Sequence, residues 1–192
     1  MTLRINLSEI IAPSFYNLTV DAARHKYTHY AVAGGRGAAK SSWVSIIVIV
    51  LMLKHSNINA VAMRNVANTL RDSVFAQYCW AISIMGLESR YKTHVSPMEI
   101  IDRVTGQRIL FRGADEPQNI KSIKAVNGYF GITHFEEADQ FAGRAKIRSI
   151  LQSTMRGGDM YWNFESFNPP VTAANWINKD ILIGRPDRGA LL

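Results

Sequence analysis

The chain has little cysteine and few acidic residues, and it lacks any apolar run long enough to cross a membrane. Its single cysteine, Cys79, cannot form an internal disulfide, which fits a reducing compartment. The most apolar stretch, residues 43–53, is shorter than the about 20 residues that a bilayer-spanning helix needs. The first ten residues lack the basic start and apolar core of a secretory signal. These absences argue against a secreted or membrane-embedded protein.

Basic residues outnumber acidic ones, with 22 Lys and Arg against 15 Asp and Glu, so the formal net charge is +7. Such an excess favours a polyanionic partner such as nucleic acid, although surplus basic residues also aid solubility. Apolar residues make up 47% of the 192 positions, enough for the core of one globular domain. The five histidines show no metal-ligand spacing. Composition thus leaves two explanations of the charge open.

Apolar runs alternate with stretches of helical spacing along the chain. Strands are predicted at 30–35, 58–64, 129–139 and 161–170, and a hairpin is predicted at 98–113 around the turn at 105–106. Helices are predicted at 40–54, 68–86 and 143–158. This alternation predicts an α/β fold with a mostly parallel central sheet flanked by helices.

The segment HYAVAGGRGAAKSSW, residues 29–43, has the outline of a phosphate-binding loop between a strand and a helix. Its spacing from Gly34 to Lys40 and Ser41 is standard, but Ala39 replaces the glycine that normally precedes the lysine. Alanine costs little there if its φ angle is negative. Lys40 is predicted to reach the β- and γ-phosphates, and Ser41 to place its hydroxyl on Mg²⁺. The alternative is a glycine-rich turn without a ligand. The candidate nucleotide-binding residues are Gly34, Gly35, Arg36, Gly37, Ala38, Ala39, Lys40, Ser41 and Ser42.

Two further segments supply the other groups that a P-loop hydrolase needs. The run GYFGITHFEEAD ends in Glu136, predicted to hold the metal, and Glu137, predicted to polarise the attacking water. The segment ESFNPP places Ser166 and Asn168 at the carboxyl edge of another strand, where α/β sheets bind ligands. The Asn168 amide is a candidate sensor of the γ-phosphate. The alternatives are solvated acids at a strand end and an ordinary Asn-Pro turn.

Five segments carry a resemblance to a known family: GGRGAAKSS, NTLRDSVFAQ, ILFRGADEPQNIKSIKA, FEEAD and SFNPP. In this order they resemble the N-terminal ATPase domain of the large terminase subunit of tailed bacteriophages, from about residue 12 to about residue 180. The phosphate loop and the acid pair are generic, whereas the central and last segments are specific to one terminase branch. That branch tolerates alanine before the lysine and glutamate as the first acid. The resemblance implies a RecA-like P-loop NTPase fold of the ASCE type.

The resemblance also implies the chemistry and the role of each residue. The expected cofactors are ATP and Mg²⁺, and hydrolysis is expected to drive double-stranded DNA into the procapsid. By motif, Glu137 is the catalytic acid, while Ser41 and Glu136 hold the metal. Ser166 and Asn168 fall in the motif that couples hydrolysis to movement.

Several arginines have roles only through the resemblance or through charge. Arg36 lies in the loop and is the candidate catalytic arginine, with Arg64 and Arg112 as rivals, for which an ordinary salt bridge is the alternative. Arg144 and Arg148 are four residues apart on the basic predicted helix and share a face, so they are candidate DNA contacts. A solvated face or a subunit contact is the alternative.

The partners implied by the resemblance are double-stranded DNA, the terminase small subunit, the portal protein of the procapsid, and further copies of the chain in a ring. Residues 1–192 are expected to form a single ATPase domain of a longer protein, without the RNase H-like nuclease domain of full-length large terminases. The expected location is the host cell cytoplasm, with no membrane partner. Another P-loop DNA motor, a helicase-like ATPase, a kinase and a weakly hydrolysing DNA-binding scaffold are the alternatives.

Overall fold

Seven strands form one central sheet in the computed structural model, which describes residues 5–116 and 123–183. In chain order they are β1 His29–Ala33, β2 Ile58–Arg64, β3 Tyr91–Val95, β4 Met98–Asp102, β5 Arg108–Gly113, β6 Tyr129–Glu136 and β7 Trp162–Phe167. Across the sheet their order is β1, β7, β6, β2, β5, β4, β3. The first five of these are parallel, while β4 and β3 are antiparallel to their neighbours. The predicted α/β class with a mostly parallel sheet is confirmed.

Helices cover both faces of this sheet. They are α1 Tyr16–Ala23, α2 Lys40–Lys54, α3 Ala76–Ile84 and α4 Arg144–Thr154. Alternate residues of β2 serve two cores, because successive side chains of a strand point to opposite faces. Ala60 and Ala62 pack in the core that contains α1, α2 and α3, whereas Val61 and Met63 pack in the core that contains α4. Helix α2 is apolar on most sides and has the bounds that the sequence predicts.

Parts of the fold differ from the sequence-based expectation. Strand β3 was not predicted, because it is an edge strand of which Tyr91 alone is buried, so it lacks an apolar alternation. Helix α1 was not predicted either. A π-helical turn at Arg71–Phe75 leads into α3, so the helix expected at 68–86 begins irregularly. Residues 117–122 of the family-specific central segment lie outside the described residues.

The parallel strands determine where a site can form. Strands β1, β6 and β7 are neighbours, so their carboxyl ends meet at one edge of the sheet, the edge where open α/β sheets bind ligands. No helix in the described part of the chain is long and apolar enough to cross a membrane.

Candidate active site

A polar cavity of about 390 Å³ opens where β1, β6 and β7 end. The loop after β1 and the start of α2 form one wall, and the residues that end β6 and β7 form the other. The structure therefore brings together the three segments that the sequence predicts to act together. The lining residues are Arg36, Gly37, Ala38, Ala39, Lys40, Ser41, Ser42, Gln77, Glu136, Glu137, Ser166, Phe167 and Asn168.

Lys40 is the first residue of α2, so the positive end of the helix dipole faces the cavity. Its Nζ donates to the carbonyl oxygens of Gly34 and Gly35, at 2.7 and 2.8 Å, and to Asn168 Oδ1 at 2.9 Å. Burial lowers the pKa of Lys40. The three acceptors use all three N–H groups of the ammonium. An anion in the cavity would have to compete with these three acceptors for the ammonium. The anion has the advantage, because it is charged and the three carbonyl oxygens are neutral.

Ala39 adopts a left-handed backbone conformation, with φ 55° and ψ 20°. The condition under which alanine would cost little at this position, a negative φ, is therefore not met. The reason is local, because the chain must turn sharply from the loop into α2, whose first hydrogen bond runs from Trp43 N to Ala39 O. A residue with a Cβ in this conformation costs roughly 1–2 kcal/mol. Gly37, with φ 78°, carries no such cost.

Glu136 is the most tightly held carboxylate of the cavity. Its Oε1 accepts a hydrogen bond from Ser41 Oγ at 2.5 Å, and its Oε2 accepts one from Ser166 Oγ at 2.5 Å. Burial raises the pKa of Glu136, but hydrogen bonds from His134, Ser166 and Ser41 outweigh burial and lower the pKa to about 2. An ionised carboxylate beside a hydroxyl offers the oxygen ligands that Mg²⁺ prefers. Ser41 and Glu136 thus fit a magnesium site.

Glu137 follows with a left-handed φ of 54°, and its carboxylate forms an ion pair with Arg64 at the end of β2. The Glu137 side chain is 35% exposed and that of Arg64 13% exposed. Glu137 lines the cavity, so the candidate base is present at the site while an arginine holds it. For Arg64 this geometry agrees with the salt-bridge alternative.

The other arginine candidates lie apart from each other. Arg36 is exposed and lines the cavity. Arg112 is on β5, donates from Nη1 to the Phe111 carbonyl at 2.8 Å, and lines a separate cavity. Of these two, Arg36 is therefore the one that the fold brings to the predicted site.

Arg144 takes part in the fold itself. Its Nη1 donates to Glu165 Oε1 and its Nε donates to Asp180 Oδ2, both at 2.6 Å, and its guanidinium lies over the Trp176 ring. Because Glu165 is 3% exposed, this ion pair ties α4 to the sheet. The basic stretch contains no acid in sequence, but the fold supplies two from elsewhere. The DNA contact predicted for Arg144 and Arg148 stays a prediction, and Arg148 is the exposed residue of the two.

Sequence reasoning missed three residues that reach the site. Gln77 lines the cavity and donates from Nε2 to Ser42 Oγ at 3.3 Å. Tyr78 and His134 contact each other behind Glu136. A signal was present for His134, because residues two apart on a strand share a face, which places it beside Glu136. Gln77 is the last residue of the segment NTLRDSVFAQ, which carries part of the family resemblance, whereas no local pattern marks Tyr78, the next residue of α3.

Comparison with known proteins gives related sequences. A family model described as phage terminase large subunit matches residues 26–188. The terminase large subunit of Bacillus phage SPP1 is 35% identical over 182 residues, which are 92% of this chain and 42% of that protein. The chain therefore spans less than half the length of this relative.

Solved structures share the fold. The large terminase of a thermophilic bacteriophage has a TM-score of 0.66 at 13% identity, covering 85% of this chain and 41% of that one. Other structures of that same terminase are in complex with ADP and with ATP-γ-S. The ATPase domain of the Thermus phage P74-26 large terminase has a TM-score of 0.60 at 16% identity, covering 94% of this chain and 77% of that one. The likeness confirms the predicted RecA-like architecture.

Proposed function

The chain belongs to the phage terminase large subunit family, and on that premise we propose that it hydrolyses ATP to drive double-stranded DNA into a procapsid. One observation carries the proposal. Lys40 and Ser41 at the start of α2 and Glu136 and Glu137 at the end of β6 converge on a single cavity at the carboxyl edge of the sheet. These are the groups that bind phosphate, hold a metal and activate water in P-loop hydrolases.

The loop and Lys40 bind the phosphates of ATP. Backbone N–H groups at the start of α2 face the cavity, and the Lys40 ammonium lies beside them. A phosphate oxygen is charged and forms a stronger hydrogen bond with the ammonium than a neutral carbonyl does. Arrival of the γ-phosphate would then take Lys40 from Asn168, which gives Asn168 its proposed role as a sensor and, with Ser166, in coupling.

Ser41 and Glu136 hold Mg²⁺ in this proposal. When bound there, the ion neutralises charge on the phosphate oxygens. Glu136 is already ionised at neutral pH, so it has no proton to lose before it binds a cation.

Glu137 accepts the proton of the attacking water. Its ion pair with Arg64 is formed through Oε2, so loosening of this pair would make both carboxylate oxygens available to that water. Arg36, exposed at the rim of the cavity, is the proposed partner of the γ-phosphate. The proposal assigns no nuclease chemistry to these 192 residues.

The proposed partners are those of a packaging motor: double-stranded DNA, the portal protein, the small subunit and further copies of the chain in a ring within the host cytoplasm. A second candidate function, a DNA-binding scaffold that hydrolyses little, is favoured by the strained Ala39 and by the held Glu137. Phosphate release measured with and without duplex DNA separates the two, because a motor should respond to DNA.

The test compares three proteins under steady-state ATP turnover. Glu137→Gln should keep Mg·ATP binding, measured by calorimetry, while turnover falls by about 10²-fold or more, the scale of losing a general base. Glu88→Gln makes the same change at an exposed glutamate outside the cavity and should leave turnover unchanged. Lys40→Ala should lose both binding and turnover. If Lys40→Ala kept wild-type turnover, the proposed site would be wrong.

A further inference from the structure

A buried polar chain runs from helix α3 to Glu136. The Tyr78 hydroxyl lies 3.2 Å from His134 Nδ1, and His134 Nε2 lies 3.0 Å from Ser166 Oγ and 3.1 Å from Glu136 Oε2. The exposed fractions of Tyr78, His134 and Ser166 are 0%, 1% and 1%. Polar groups buried to this degree are tolerated when their hydrogen bonds are satisfied, so the position of each proton matters.

The donors and acceptors around His134 determine where the protons of this chain lie. The 2.5 Å separation of Ser166 Oγ and Glu136 Oε2 directs the single hydroxyl proton of Ser166 to the carboxylate. His134 Nε2 then faces two oxygen acceptors, so Nε2 carries a proton and donates. In the neutral ring, Nδ1 must accept, and it accepts from the Tyr78 O–H.

The state of Tyr78 agrees with this assignment. Burial raises the pKa of Tyr78 well above its ordinary value, so the phenol keeps its proton. Its hydroxyl has no other hydrogen-bond partner within residues 5–116 and 123–180, which makes His134 Nδ1 its acceptor. The opposite tautomer would leave the phenol proton without an acceptor and would set the lone pair of His134 Nε2 against the lone pairs of Glu136 Oε2.

We propose that Tyr78 and His134 are positioning residues for the metal-holding carboxylate. Tyr78 fixes the tautomer of His134, and His134 and Ser166 hold Glu136 through Oε2, so that Oε1 points toward Ser41. The inference rests on the proposed Mg·ATP site, and it adds two residues to the control of that site. It also links the site to α3, the helix that carries Gln77 into the cavity next to Tyr78.

Variants of the two residues separate positioning from packing. His134→Leu removes the donor, and His134→Gln places an amide N–H where it can replace Nε2. Tyr78→Phe removes the hydroxyl alone and keeps the ring, which packs edge-on against Phe111. Thr133→Val is the matched control, because it deletes a buried hydrogen bond of the neighbouring residue of β6, on the opposite face of the sheet.

The measurement is Mg²⁺ affinity in the presence of a non-hydrolysable ATP analogue, determined by calorimetry, together with analogue affinity in EDTA. His134→Leu should weaken Mg²⁺ affinity by about 10- to 100-fold, the usual effect of losing an outer partner of a metal ligand. Tyr78→Phe should weaken it by about 2- to 10-fold, the scale of one hydrogen bond. His134→Gln should recover most of the loss, and Thr133→Val should match the wild type. The affinity for the ATP analogue in EDTA should be the same in all of these variants.

Three results would overturn the inference. One is wild-type Mg²⁺ affinity in a folded His134→Leu protein, and another is an equal loss in Thr133→Val. If His134→Leu failed to fold, Tyr78→Phe would decide, and unchanged Mg²⁺ affinity there would refute the assigned tautomer. Failure of the proposed function is distinguishable, because it would show in the unaltered chain as analogue binding with no dependence on Mg²⁺.

Discussion

Replacing Ala39 by glycine should stabilise the protein, although it removes a side-chain atom from a loop. Ala39 has a φ of 55°, a conformation that costs a residue with a Cβ roughly 1–2 kcal/mol. Glycine adopts it freely, but glycine also makes the unfolded chain more flexible, which costs about 0.4–1 kcal/mol. The difference leaves Ala39→Gly more stable than the wild type by about 0.5–1 kcal/mol.

Ala38 provides a matched control, because it is the preceding residue of the same loop and does not have a positive φ. Ala38→Gly relieves no strain and keeps the entropic cost, so it should destabilise the protein by about 0.4–1 kcal/mol. The two substitutions remove the same atoms from neighbouring positions. Their effects should therefore have opposite signs, which packing alone does not predict.

Thermal unfolding followed by circular dichroism measures both effects. For a chain of this length, about 1 kcal/mol corresponds to roughly 2–4 °C in Tm, so Ala39→Gly should rise by about 1–4 °C while Ala38→Gly falls. Parallel ATP titrations should show similar affinity in Ala39→Gly, because the loop keeps its conformation. A fall in Tm for both variants would refute the assignment of strain to Ala39.

Three other changes follow from the contacts described above. Arg64→Gln releases Glu137 from a partly exposed ion pair and should raise basal ATP turnover about 2- to 5-fold; loss of turnover would instead mean that the arginine acts on phosphate. Burial lowers the pKa of His55 from its ordinary 6.5, so the unfolded chain binds more protons below that pH. Stability should therefore fall as the pH drops from 7 to 5, and His55→Gln should flatten this slope in unfolding measured across that range. Arg148→Glu should weaken salt-dependent duplex DNA binding in anisotropy titrations more than Lys146→Glu, which makes the same charge change elsewhere on α4, and should leave ATP turnover unchanged. Equal effects of Arg148→Glu and Lys146→Glu would argue against DNA binding by the face of α4 that carries Arg148.

Much of the fold follows from patterns that are local in sequence. Helix α2 has its predicted bounds because an apolar run of helical length begins directly after a glycine-rich loop. Strand β2 also has its predicted bounds, because a strand buried on both faces is a continuous apolar run between polar residues. Strand β3 carries no such run, since its environment is the sheet edge, and it was missed.

The predicted site residues meet in one cavity because parallel strands all end at one edge, a rule that needs no knowledge of contacts. Contacts between residues that are distant in sequence cannot be predicted by such a rule. Arg64 and Glu137 come from strands far apart in sequence, and Glu165 is 21 residues from Arg144. Whether an arginine meets a phosphate, a nucleic acid or an internal carboxylate depends on the register of those strands, which charge patterns do not contain. The sign of φ at Ala39 likewise depends on how the loop joins the helix.

The backbone strain at two residues of the cavity differs in whether it can be removed without losing a functional group. Ala39 and Glu137 both have left-handed backbones on opposite walls, each at a cost of roughly 1–2 kcal/mol. Such strain persists where the surroundings fix the conformation, as the hydrogen bonds from Trp43 N to Ala39 O and from Gln140 N to Glu137 O do here. Glycine would relieve both positions, but at Glu137 it would also remove the carboxylate. Strain at Glu137 is therefore inseparable from the proposed chemistry, whereas strain at Ala39 can be removed without touching any group that binds or reacts.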